Sequence, residues 1–108
     1  MKITLTEHAI QQGYKRLHVS SDELYVLCNN SILKGLAKEN VRSNLRNKVK
    51  RVVQNTIKNG CHNPFIRIYD KKIFVFSHIT NKRYTEYKLI TFFNIDLPNN
   101  LYYSMIKR

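Results

Sequence analysis

The stretch NPFIRIYDKKIFVFSHITNKRYTEYKLITFFNIDL, from Asn63 to Leu97, decides how the rest of the chain must be arranged. Three runs of β-branched and aromatic residues, Phe65 to Tyr69, Lys72 to His78 and Tyr84 to Ile95, are separated by polar, charged breaks. Runs punctuated in this way predict consecutive antiparallel strands, here a three-stranded meander. Side chains alternate across a strand, so Phe65, Arg67 and Tyr69 fall on one face and Ile66 and Ile68 on the other. By the same alternation the last run divides into Tyr87, Leu89, Thr91, Phe93 and Ile95 against Lys88, Ile90, Phe92 and Asn94. The middle run, Ile73-Phe74-Val75-Phe76, is apolar on both faces and belongs in the centre of the sheet. One face then needs a helical cover drawn from the N-terminal half. The other, a mixture of aromatic, hydroxyl and basic groups, is the expected functional face.

Working outward towards the N-terminus, Lys2 to Leu5 reads as a brief edge strand. Thr6 is a helix N-cap, and the spacing of Ala9, Ile10, Gly13, Tyr14 and Leu17 predicts a buried stripe on a helix ending near Leu17. Its more polar side gathers His8, Gln12, Lys15 and Arg16. Ser20 or Ser21 before Asp22-Glu23 caps a second helix of about ten residues, which Asn29-Asn30-Ser31 should weaken or end. The strongest helical period is Val41, Leu45, Val49, Val52, Val53 and Ile57, with Gly60 as its stop. Arg42, Arg46, Lys48, Lys50, Arg51 and Lys58 occupy its other faces. After the sheet, Leu97-Pro98 ends the last strand and a short helix follows over Leu101 to Lys107, with Leu101, Met105 and Tyr102 as the residues to pack down. The fold expected is α+β in a single domain over residues 1–108. A helical layer over 1–60 packs on a three- to four-stranded antiparallel meander over 63–97, with a C-terminal helix over 99–107.

Charge narrows the functional classes. The 108 residues hold 19 Lys and Arg against 7 Asp and Glu, a formal net charge of +12, together with 7 Tyr and 5 Phe. A basic domain rich in aromatics favours a polyanion, because neutralised phosphates release counterions. The two cysteines, Cys28 and Cys61, lack the paired spacing of a zinc site and fit a reducing compartment. No segment approaches the ~18 apolar residues of a membrane span, so the expected location is cytoplasmic, with no membrane partner.

Glycine-rich phosphate loops are absent, and the scattered acids argue against paired-carboxylate and two-metal chemistry. What remains is chemistry run by cations, imidazole and phenol, with neither metal nor other cofactor. Cleavage of RNA by its own 2′-hydroxyl is of this kind. Residues suited to it are His8, Arg16, Arg67, Tyr69 and His78. Lys15, Arg42, Arg46, Lys50, Arg51 and Arg83 are the candidate nucleic-acid contacts. A second reading has the same surfaces bind nucleic acid without cutting it, bases stacking on the aromatic sheet face. A third has the protein act as a host-directed inhibitor that binds an acidic protein surface such as an antitoxin, a polymerase or a CRISPR component.

Two groups of residues also resemble a known family. The opening Ile3-Thr4-Leu5-Thr6-Glu7-His8-Ala9 with Arg16 resembles the T-x-H-A-x-x-R-x-x-x-R start of many small phage and bacterial proteins. Ile68 to Phe76, then Leu89-Ile90-Thr91 and Leu97-Pro98, resemble their later strands. Such proteins are similar to the barnase, EndoU, colicin and RelE-like superfamily of metal-independent ribonucleases and toxins, BrnT-like toxins included. The resemblance implies a helical layer on a twisted antiparallel sheet. It also implies RNA cleavage in a cleft between the first helix and the sheet, with His8, Arg16, Tyr69 and Thr91 at matching positions. Gln12 departs from the pattern, standing where an Arg is usual.

Overall fold

In the computed structural model, which describes residues 1–106, the elements run β1 (Lys2–Leu5), α1 (Glu7–Leu17), α2 (Ser21–Lys34), a 3-10 turn (Lys38–Asn40), α3 (Ser43–Lys58), β2 (Pro64–Tyr69), β3 (Lys72–Thr80), β4 (Thr85–Asn94) and α4 (Asn99–Ser104). The meander forms as its sequence pattern requires, with β3 between β2 and β4. The sheet order is β1-β4-β3-β2, and β1 runs parallel to β4. That corrects the expectation of a wholly antiparallel sheet. The segment between β1 and β4 includes three helices, so no hairpin imposes the direction of β1.

Helices cover both faces of the sheet, not one. Ile73 and Val75 point towards α3 and, with Ile66, Ile68, Leu45, Val49, Val52 and Tyr102, form one buried cluster. Phe74 and Phe76 point the opposite way and pack with Leu89, Phe92, Ile3, Ala9, Leu24 and Cys28 under α1 and α2. A strand apolar on both sides cannot leave either side wet, since each such residue contributes about 1.5–3 kcal/mol only when buried.

A bulge resets the last strand. Val75 pairs with Thr91 but Phe76 pairs with Leu89, which leaves Ile90 without a partner. Alternation is therefore broken between Leu89 and Phe92, and these two share a face that simple counting would deny them. Both are fully buried.

The helices follow their capping signals. The Thr6 hydroxyl accepts the Ala9 N–H, and Ser20 and Glu23 form a reciprocal capping box. At the end of α1, His18 adopts the left-handed conformation usual for glycine, with φ 56°, and Val19 N–H closes onto the Gly13 carbonyl. Gly13 allows α1 and α2 to approach closely, since a Cβ there would stand 3.1 Å from Leu24 Cδ2. Tyr14, expected in the buried stripe, is instead 72% exposed. The fully buried positions of α1 are the small residues Ala9 and Gly13, with Leu17 packed beside them, and Tyr14 lies outside that stripe.

The second helix is longer than expected, passing through Asn29-Asn30-Ser31 to Lys34. Ser31 is buried with its hydroxyl donating to the Cys28 carbonyl at 2.7 Å, so the residue expected to end the helix is satisfied inside it. Val41 precedes α3 and pairs with Ile106, and Ile57 is exposed. In α4 it is Tyr102 that is buried, while Leu101 lies outward; Lys107 falls outside the described residues.

The outer edge of β2 is closed. Pro64 has no N–H, Arg67 Nη1 donates to the Ile66 carbonyl, and Ile68 exchanges both backbone hydrogen bonds with Leu36. The β2–β3 turn places Asp70 and Lys71 at φ 51° and 56°, as a two-residue hairpin of the primed type requires. Lys71 has a Cβ in a region suited to glycine. Its backbone N–H and carbonyl meet the Tyr102 hydroxyl and the Ile95 N–H, and a glycine would keep both bonds. Lys71→Gly is therefore expected to stabilise the protein by about 1 kcal/mol. A lowered denaturant midpoint for this variant would show that the Lys71 side chain contributes more than its strain costs.

Candidate functional site

Past its buried centre β3 continues into the open, exposing His78, Ile79 and Thr80. Here three rings meet across three strands. Phe65 on β2 lies 5.4 Å from His78 on β3 and 4.9 Å from Tyr87 on β4, measured between ring centroids. The imidazole and the phenol stack nearly flat, 4.9 Å apart with 9° between their planes. The register explains the cluster, since His78 stands directly opposite Tyr87 and Phe65 opposite Phe76. Phe65 and Tyr87 are half-buried because their inner sides rest on the α1 and α2 core.

A cation completes the group. The Arg67 guanidinium lies 4.1 Å from the Phe65 centroid while its Nη1 donates to the Ile66 carbonyl at 3.1 Å. The arginine is thus oriented by a π face and a backbone bond at once. His78 Nε2 is 3.1 Å from the Thr80 hydroxyl, which restrains the ring's rotation. Beyond lies the Asn81–Tyr84 turn, held by Asn81 Oδ1 accepting the Arg83 and Tyr84 N–H groups, with Arg83 exposed at its tip.

The remaining sequence candidates are dispersed. Tyr69 ends β2, where its partner Lys72 stands opposite Asn94, at the far end of the sheet from the His78–Tyr87 pair. Five steps of strand separate Tyr69 from Pro64, which stands opposite Ser77 beside His78, a distance of about 17 Å. These two proton-transfer candidates do not share a site. Arg16 has a structural task, its Nη1 donating to the Phe92 carbonyl at 2.9 Å where β1 has ended and left the β4 edge open. Gln12 accepts the Thr91 hydroxyl at 2.7 Å, so both residues tie α1 to β4. An arginine in place of Gln12 has no acceptor to offer that hydroxyl. His8 is exposed in the first turn of α1, and Lys15 is exposed one turn beyond Gln12.

On α3 the cations divide. Arg46 and Lys50 border a hollow with Lys38 and Glu39, and Arg42 is exposed at the start of the helix. Arg51 and Lys48 face the opposite flank, towards β4. Among the described residues one ion pair forms, Lys72 with Asp70, so most of the basic side chains have no carboxylate beside them. Burial pushes the Cys28 thiol from 9.0 up to about 12, which leaves it inert at neutral pH. No group of three or more His, Cys, Asp or Glu placed to hold a metal occurs among the described residues. None of their helices is long and apolar enough to cross a membrane.

Comparison with family models, with curated proteins and with solved structures returns no match for this chain. The resemblance to small ribonucleases therefore rests on the quoted motifs alone.

Sequence reasoning singled out Arg67 and His78 and put Phe65 on the face of Arg67, but it did not bring Tyr87 or His78 to that pair. The signal lay in the hairpin: a turn over Asn81–Tyr84 pairs Thr80 with Thr85, and counting back from it sets His78 against Tyr87. If Arg16 serves the fold, Arg16→Ala should lower stability by about 1 kcal/mol through the freed Phe92 carbonyl. An unchanged melting temperature would return Arg16 to the list of residues free for a ligand.

Proposed function

We propose that this protein binds single-stranded nucleic acid, RNA in the first instance given the motif resemblance, on the surface formed by Phe65, His78 and Tyr87 with Arg67 beside it. The observation that carries the reading is the trio of rings spanning three strands, His78 exposed and Phe65 and Tyr87 half-buried, flanked by an oriented guanidinium, on a chain of net charge +12. Unpaired bases present π faces that stack on such rings at about 1–3 kcal/mol each, and the surrounding cations neutralise phosphate. Duplexes hide those faces, so a stacking surface selects single strands. Binding is favoured over cleavage because the expected proton-transfer groups are spread over both ends of the sheet. Asn81, Lys82 and Arg83 extend the basic surface beyond the rings.

The test is titration of a labelled single-stranded oligonucleotide in EDTA, by anisotropy, at several salt concentrations. Tyr87→Ala and Phe65→Ala should each weaken binding about 5- to 150-fold with little change in salt slope, because they remove stacking and not charge. Arg67→Ala should flatten the slope by about one ion. Preference for duplex over single strand, or full affinity in both aromatic variants, would refute the reading. Appearance of fragments with cyclic phosphate ends would make the protein a nuclease.

A further inference from the structure

A path leads away from the aromatic surface. His78, whose ring stacks on Tyr87, also borders a hollow at the end of the sheet with Ser77, Lys88 and the Asn59–Asn63 loop. That hollow shares Asn59, Cys61 and Ile90 with a second groove, which runs on the opposite face of the sheet between α3 and β4. The two depressions thus adjoin, with Asn59, Cys61 and Ile90 bordering both. Apolar groups form part of the floor of the groove, Val52, Ile90 and Phe93, while Lys48 and Arg51 line it alongside Asn55 and Asn59.

The spacing of the polar groups is regular. Arg51, Asn55 and Asn59 follow one another at four-residue intervals, so their Cβ positions stand about 6 Å apart along one ridge of the helix and its end. That interval is comparable to the separation of successive phosphates along an extended strand. Among the described residues lining the hollow and the groove, none is a carboxylate. The bulge at Ile90 helps create the space, because it turns Ile90 and Thr91 towards α3 out of the regular alternation.

We infer that a bound single strand continues from the aromatic surface past His78 and Lys88 into the α3–β4 groove, where Arg51, Asn55 and Asn59 hold its phosphates. This rests on the reading of the aromatic surface as the base-stacking site and extends it to a longer polyanion footprint. The rings hold bases; the groove holds backbone. It follows that affinity grows with strand length beyond what the rings alone can cover, and that the added affinity is salt-sensitive.

The experiment compares oligonucleotides of about four and about twelve nucleotides, lengths that bracket a single compact binding surface. The proteins are wild type, the double variant Arg51→Ala with Lys88→Ala, and Tyr87→Ala. Arg51 and Lys88 are both exposed, and matched melting temperatures verify that the variants fold. The expected result is that the double variant binds the long strand at least about tenfold more weakly and with a salt slope smaller by about two, while its affinity for the short strand is unchanged. Equal wild-type affinity for both lengths, or a double variant with full long-strand affinity, overturns the path. Loss of long-strand affinity in the double variant combined with no effect of Tyr87→Ala on the short strand retains the groove and overturns the aromatic site. A wild-type protein that binds neither strand overturns both.

Discussion

The burial of β3 on both faces is the constraint from which the rest of the structure follows. Four consecutive residues, Ile73 to Phe76, are fully removed from water, two towards each side. A sheet carrying such a strand at its centre must have helices above and below, and 108 residues supply them only if nearly every segment takes part. The N-terminal helices take the Phe74 and Phe76 side, and α3 with the C-terminal turn takes the Ile73 and Val75 side. Function is then confined to what the helices leave uncovered. At the open end of β3 the covering layers stop, and there the rings of Phe65, His78 and Tyr87 emerge with Arg67.

The second organising feature is the bulge at Ile90. On the buried side it brings Leu89 and Phe92 onto one face, filling the space beside Phe74 and Phe76. On the other side it places Ile90 and Thr91 beside the groove that Arg51 and Lys48 border, while the Thr91 hydroxyl still donates to Gln12 of α1. One extra residue in the ladder thus serves the core and shapes a surface depression together. A regular strand continuing from Leu89 would send Phe92 towards α3 and bring Thr91 and Phe93 to the side of α1 and α2 in its place.

Much of the architecture was legible in the sequence because the signals were local. The meander announced itself through apolar runs and polar breaks, Thr6 and Ser20 through their capping chemistry, and α3 through the repeat from Leu45 to Val52. What was not legible depended on contacts distant in sequence. Ile90 and Thr91 are both β-branched, so nothing in their chemistry marks a bulge. The direction of β1 is set by how three intervening helices fold back. The burial of Ser31, which lets α2 run on, depends on a hydrogen bond to Cys28 inside a layer that had not been placed. For the site, Arg67 and His78 were visible as residue types on a mixed face, whereas Arg16 and Tyr69 matched a motif without revealing that one bonds an edge carbonyl of β4 and the other lies at the remote end of the sheet. Residue type points to a chemistry; register decides whether the groups meet.

The measurement that bears most directly on this account is an NMR map of backbone and aromatic shifts on adding a short single-stranded oligonucleotide. The account predicts the largest changes at Phe65, Arg67, His78 and Tyr87, with ring protons of Tyr87 and His78 shifted as bases stack on them. Changes centred instead on the first turn of α1 around His8, or on the outer flank of α3 at Arg46 and Lys50, would contradict it.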